Sequence, residues 1–249
     1  MPGMAHADNR LAARVESAIC ARMVVEEQQR PRPLTARQAE RRERILKAAE
    51  FLVGRDGYDA VTMRMIAQQS GTAEKTLYNI FGAKDRLVAL AAHDRSASVF
   101  DLAARRSGGQ GWALLRAFCA TAAQATLEAP LLSRALAALL ADHADLVGLH
   151  EVYEERVGAI MRDIVKDGQL DPAAPLGQLV RSIRLAVVSV VLFWAKGEIA
   201  DGELEAYMAR RCAETLLAFA TDQGVAVFRA EILAATRVQE HAGQALPVL

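Results

Sequence analysis

Lys75, Thr76, Tyr78 and Asn79 stand within five consecutive positions, each able to donate a hydrogen bond, and Glu74 is the single acid beside them. The amide of an Asn fits the N6/N7 edge of adenine, and the ammonium of a Lys fits the O6/N7 edge of guanine. Hydroxyls and further cations suit phosphate oxygens, contacts that fix register without reading sequence. Such chemistry needs its donors on one face of a rigid element. Residues 61–87, VTMRMIAQQSGTAEKTLYNIFGAKDRL, have the pattern that provides one. Thr62 can cap a first short helix with its hydroxyl, and Met63, Ile66 and Ala67 then fall on one inward stripe. Ser70-Gly71-Thr72 breaks that helix. Gly71 can take the positive φ of a helix end, and Thr72 can cap the next helix. In that second helix Leu77, Ile80 and Phe81 point to the core, and Glu74, Lys75, Thr76, Tyr78 and Asn79 point outward. Two helices so joined form a helix-turn-helix, whose second helix can enter a DNA major groove. Short helix–Gly–helix pairs also occur in proteins that touch no nucleic acid, so spacing alone leaves both readings open.

The flanking residues narrow the choice. Upstream stand Arg42-Glu43-Arg44-Ile45-Leu46, then Ala48, Ala49, Leu52, Gly57, Tyr58 and Thr62; downstream, Thr76-Leu77-Tyr78 is followed by Phe81, Lys84, Asp85 and Leu87. At these offsets residues 40–90 resemble the DNA-binding unit of the TetR family of transcriptional regulators. In that frame Lys75, Thr76 and Asn79 are the candidates for base readout, and Arg42, Thr62, Tyr78 and Lys84 the candidates for phosphate. The chain departs from the family pattern at Val53, where an aromatic is usual, and at Met65, where an acid is common. Thr72-Ala73 replaces a frequent apolar-Ser pair, which leaves the second helix's cap uncertain by one residue. Gly82 follows Phe81 where Pro is frequent.

The charge distribution suits a protein that presents one end to a polyanion. The formal net charge is zero, yet residues 30–90 hold 12 Lys or Arg against 7 Asp or Glu, and residues 91–249 hold 15 against 19. Apolar residues make up 52% of the chain and aromatic ones only 5%, which favours helix over sheet. Cys20, Cys119 and Cys212 form no CxxC and follow no secretory signal, as expected of reduced thiols in a cytoplasmic protein. His6, His93, His143, His150 and His241 make no metal-ligand set, and no cofactor is expected. No GxSxG, P-loop, GxGxxG or HExxH occurs, so the chain does not read as an enzyme. The longest apolar run, residues 185–195, is too short to cross a bilayer.

The elements that position this unit read as all-α throughout. Residues 1–34 form an extension, with a short amphipathic helix through Leu11, Val15, Ile19 and Met23 and a Pro-punctuated stretch at 28–33. Arg30 and Arg32 there, with Arg37 just beyond, fit either a minor-groove arm or a solvated leader. Residues 35–90 form the helix-turn-helix domain, with Thr35 capping its first helix. Residues 91–249 form a larger helical domain for ligand binding and dimerisation, and a long fourth helix from near Ala83 to Arg106 belongs to both. Six further helices are expected, the fifth stopping before Pro130 and the ninth running over 204–220 with Phe219 on its apolar face.

Trp112, Cys119, Tyr153, Val157, Met161 and Trp194, with Phe100, are candidates to line a cavity between helices, although the same stripes also serve as plain core. Arg116, Arg181 and Arg184 stand out among the apolar faces as groups that can meet a carboxylate. The eighth helix is apolar nearly all round and must be buried on every side. Ile183, Val187, Val191, Leu204, Met208, Cys212 and Leu216 are therefore assigned to a homodimer interface, the alternative being burial under the segment after Thr221. The TetR resemblance implies a four-helix bundle across a two-fold axis, matching a palindromic operator. Together these features describe a dimeric, operator-specific regulator, a repressor released by a small apolar or amphipathic ligand. Control by a protein partner and an all-α enzyme are the alternatives.

Overall fold

Thr35 begins the first helix with a reciprocal cap. Its Oγ1 accepts from the Gln38 N–H at 3.3 Å, and the Gln38 side chain accepts from the Thr35 N–H at 2.9 Å. The computed structural model describes residues 35–142 and 149–244. The expected helix through Leu11 and Met23, the Arg30 and Arg32 segment, and Cys20 lie outside the described residues.

The helices are α1 (Ala36–Asp56), α2 (Met63–Ser70), α3 (Glu74–Phe81), α4 (Lys84–Ser107), α5 (Gly111–Glu128), α6 (Pro130–Asp142), α7 (Leu149–Lys166), α8 (Leu176–Ala195), α9 (Leu204–Leu217) and α10 (Asp222–Gln244). Among the described residues no strand occurs, only one antiparallel bridge between Leu170 and Ala220. The all-α reading therefore holds. By its internal contacts the chain divides inside α1, between Arg42 and Glu43.

The unit from Glu43 onward has two apolar cores. Ile45, Leu46, Ala49, Leu52 and Val53 repeat at helical spacing along α1 and pack with Ile66, Leu77, Phe81 and Leu87 in the first. Phe100, Phe118, Tyr153, Ile183, Val187 and Met208 belong to the second. α4 serves both, because Leu87, Val88 and Ala91 face the first core while Ala89, Ala92, Phe100 and Ala103 face the second. Its 24 residues span about 36 Å at the usual helical rise. α6 starts at Pro130, a residue preorganised for a first helical position. Although the sequence placed α6 in the larger domain, it lends Leu132, Ala135 and Leu139 to the first core.

The C-terminal part differs from the sequence reading in three ways. First, α9 ends at Leu217 and leaves Phe219 39% exposed. The chain leaves the helix there to pair with the α7–α8 connection: the Asp171 N–H donates to Phe219 O at 3.0 Å and the Thr221 N–H to Gln169 O at 3.2 Å. Second, the residues assigned to a dimer interface are interior to one chain. Ile183, Val187, Leu204, Met208, Cys212 and Leu216 are buried, and Val191 is half-buried. The cause is α10, which lies along α9 and closes the core that a partner was expected to close. Third, α8 as a whole is long and apolar enough to cross a membrane by length and composition, which the 185–195 run alone was not. Here its inner face, Leu179, Ile183, Val187, Val190 and Trp194, forms part of the second core. Its outer face leaves Leu185 58% and Phe193 46% exposed.

Candidate nucleic-acid interface and ligand cavity

Local sequence sets the geometry of the α2–α3 pair. Thr62 Oγ1 accepts from the Met65 N–H at 3.3 Å and caps α2. Gly71 ends it at φ 62°, the left-handed conformation that glycine takes without strain, while the Thr72 N–H reaches back to Ala67 O at 2.9 Å. The capping expected of Thr72 does not occur. Ala73 holds the N-cap position of α3 with no side-chain bond, and Thr72 Oγ1 donates instead to Ser70 O at 3.4 Å. The leading N–H groups of α3 are consequently left without a side-chain acceptor.

α3 turns its donors outward as expected. Leu77 and Phe81 are buried, Lys75, Tyr78 and Asn79 are exposed, and Thr76 is half-buried. Ile80, expected in the core, is 43% exposed. A two-turn helix has room to bury one i, i+4 pair against its neighbours, and Leu77 with Phe81 takes that place. An apolar surface residue beside Asn79 can contact a thymine methyl group, a role the sequence reading missed. Arg64, Gln68 and Gln69 form an exposed polar face on α2 that it also passed over.

Behind this pair, Tyr58, Lys84 and Asp85 form a brace. The Lys84 ammonium donates to Tyr58 O and Val61 O, both at 3.0 Å, and lies 3.9 Å from the Tyr58 ring centroid. The Tyr58 hydroxyl donates to Asp85, and burial, with that carboxylate, pushes the phenol well above its usual pKa. Arg44 Nε donates to Ser70 O at 3.4 Å and ties α1 to the α2–α3 turn. Arg42 lies half-buried on α1, and Thr62 is exposed with its hydroxyl proton still available to donate.

A second site lies inside the larger core. A cavity of about 120 Å³ sits among α4 to α9, bounded by Phe100, Phe118, Tyr153, Val187, Val191 and Met208. Phe100 and Phe118 stack at 3.9 Å, and Tyr153 meets both edge-on, at 5.3 and 5.9 Å. The hydroxyls of Ser96, Thr126 and Ser133 at its wall each donate to a backbone carbonyl, of Ala92, Ala122 and Thr126. Among the described residues, Arg95 is the one charged side chain on the lining.

Sequence comparison decides the family. The profile described as bacterial regulatory proteins, tetR family, matches residues 45–91, the α1–α4 unit just built. The HTH-type transcriptional repressor KstR of Mycolicibacterium smegmatis is 30% identical over 164 residues, 63% of this chain and 78% of that protein. The chain belongs to the TetR family. It is a DNA-binding transcriptional regulator.

Two solved structures share the fold. The resorcinol complex of RolR superimposes with a TM-score of 0.59 at 15% identity, covering 78% of this chain and 93% of that one. Thermus thermophilus FadR, in complex with lauroyl-CoA, gives 0.57 at 19% identity, over 70% and 93%.

Within this TetR fold only two of the seven expected pocket residues reach the cavity, Phe100 and Tyr153. Trp112 packs edge-on against Phe228 at 5.2 Å. Cys119 sits 3.8 Å, sulfur to sulfur, from Cys212, and both thiols are buried. That contact, then burial, pushes the Cys212 thiol up. Val157 and Met161 are fully buried in the core. Trp194 donates its indole N–H to Asp201 at 2.7 Å. Arg116, noted for its position on an apolar face, is held by Glu205 and Glu231, both at 2.8 Å.

Proposed function

We propose that this regulator is a homodimer that represses by occupying a palindromic operator and leaves it when a small apolar or amphipathic molecule fills the cavity. The carrying observation is the exposed donor face of α3, Lys75, Tyr78 and Asn79, on a unit that shares the helix α4 with the cavity wall. The naming of the M. smegmatis relative as a repressor supports the sign of control, and the small ligands in the RolR and FadR complexes support the cavity as an effector site. Of the two, resorcinol is nearer in size to this cavity. Cavities of roughly 150 Å³ lined by apolar side chains take a single benzene ring.

Base readout falls to Lys75, Thr76 and Asn79, and phosphate contact to Arg42, Thr62 and Tyr78. Selection of bound sequences from random duplex DNA tests this reading. Two inverted half-sites are expected, and Asn79→Ala should relax one base position in each, costing about 1–3 kcal/mol there. Recovery of no preferred sequence would defeat the proposal.

Lys84 we read as a brace more than a phosphate contact, because its ammonium is already engaged by two carbonyls and an aromatic face. Lys84→Met should therefore lower stability by about 1.5–3 kcal/mol, the usual range for hydrogen bonds to a charged group. A direct phosphate contact predicts the opposite pattern in paired measurements: an unchanged melting temperature and a salt slope of operator binding lower by about 1 per protomer.

A further inference from the structure

Arg95 stands between the two sites, and we infer that it is the head-group receptor of a compact monocarboxylate, which it accepts by giving up Glu50. The inference rests on the ligand reading above and specifies its chemistry. One guanidinium nitrogen of Arg95 lies 2.5 Å from Glu50 Oε1, and the other donates to Ala125 O at 2.7 Å. Glu50 belongs to α1, Arg95 to α4 and Ala125 to α5, so this side chain pins the DNA-end helix to two walls of the cavity. Arg95, Val99 and Ala125 line the cavity and also a surface groove that runs past Glu43, Lys47 and Glu50. The guanidinium therefore stands at the mouth.

The chamber behind it supplies aromatic and aliphatic walls, and its three hydroxyls already donate to backbone carbonyls. A ligand seated there has its apolar body among Phe100, Phe118, Val187 and Val191 and one acceptor toward Arg95. Of the five N–H donors on a guanidinium, Glu50 and Ala125 O engage two. A carboxylate in the chamber can take the guanidinium nitrogen that Glu50 holds from outside. Exchange costs little because the Glu50 side chain is only partly buried and can return to water. Glu43, Asp94 and Glu128 also face the groove, against Lys47 and Arg95, so a polyanion would be repelled where a single charge matched to Arg95 is tolerated. Losing Arg95 frees Glu50 and removes the polar tie that holds this face of α1 to α4 and α5. By linkage, the operator complex and the carboxylate weaken one another by the same factor.

The test uses the full-length protein, with benzoate and its uncharged isostere benzamide as probes in calorimetry, and the selected operator in anisotropy titrations. Benzoate should bind at least about tenfold more tightly than benzamide, the scale of a charge-assisted hydrogen bond. Arg95→Met should abolish that preference. Glu50→Gln should tighten benzoate several-fold while weakening operator binding, and unfolding cannot produce this pair of opposite effects. Equal affinity for the two compounds, or unchanged benzoate affinity in Glu50→Gln, would overturn the inference and leave the cavity as a ligand site. Binding of neither compound would overturn both.

Discussion

Phe193→Asp and Leu233→Asp are each expected to convert the protein to a monomer that has lost operator affinity by about 10²–10⁴-fold, the usual gain from linking two binding modules. The reason is the apolar surface that α10 leaves uncovered. This helix closes α9, but its own outer face carries Ala226, Ala230, Leu233, Ala234 and Val238, all exposed at helical spacing. On α8, Leu185 and Phe193, with the half-buried Leu192 beside them, make a second outward apolar face; Leu185 and Leu233 are each 58% exposed. Outward apolar faces of this kind mark interaction sites. The occupant we propose is a second copy, because a two-fold pair of the same face supplies the second α3 that an inverted repeat requires. Light scattering should give a mass near twice 27.0 kDa for the wild type and near 27.0 kDa for each variant. Both substitutions are on exposed positions, so each variant should keep its helical content. A wild-type monomer at micromolar concentration would sink the claim.

The burial of the inner faces of α8 and α9 within one chain shows where sequence reasoning ran short. The apolar stripe of α9 was correctly read as buried: Leu204, Met208, Cys212 and Leu216 are all inside. Periodicity says that a face is covered, not by what, and here the cover is the chain's own last helix. The cavity posed a different difficulty. Trp112, Val157, Met161 and Trp194 lie on apolar stripes and pack in or against the core. A void, however, arises where small side chains face one another. Ala92, Ser96, Ala122, Ala125 and Ala137 surround this one, and in a chain so rich in alanine no local pattern sets them apart. The helix-turn-helix was legible for the opposite reason. Thr62 and Gly71 act on their immediate neighbours, and Lys75 and Asn79 are outward because Leu77 and Phe81 are inward. Ile80 was misread because a two-turn helix offers too little length to fix its phase.

Gly224→Ala should destabilise the fold by about 3 kcal/mol or more, at the upper end of the overpacking range, although helix propensity predicts the opposite sign. Within a helix, alanine is favoured over glycine by roughly 0.5–1 kcal/mol, and Gly224 lies in the first turns of α10. Its backbone, however, runs against the α7–α8 connection so closely that a β-carbon would stand 1.9 Å from Gln169 O and 2.8 Å from the carbonyl carbon. Those atoms belong to a main chain that cannot swing aside as a side chain can. The Gln169 strip is held by the Leu170–Ala220 bridge, by the Thr221 N–H on Gln169 O at 3.2 Å, and by Thr221 Oγ1 donating to Gly168 O at 2.6 Å. Thr221 Oγ1 also accepts from the Gly224 N–H at 3.2 Å, so the cap of α10 and its docking share one hydroxyl. A methyl group at 224 must lift the start of α10 away from these partners, and with it the cover over α9. Gly177→Ala is the matched control, since Gly177 sits in the first turn of α8 with nothing within 4 Å of a built β-carbon. Urea unfolding should show Gly177→Ala neutral or stabilised by up to about 1 kcal/mol and Gly224→Ala sharply destabilised. Equal midpoints for the two variants would mean that α10 does not dock on the α7–α8 connection through this contact.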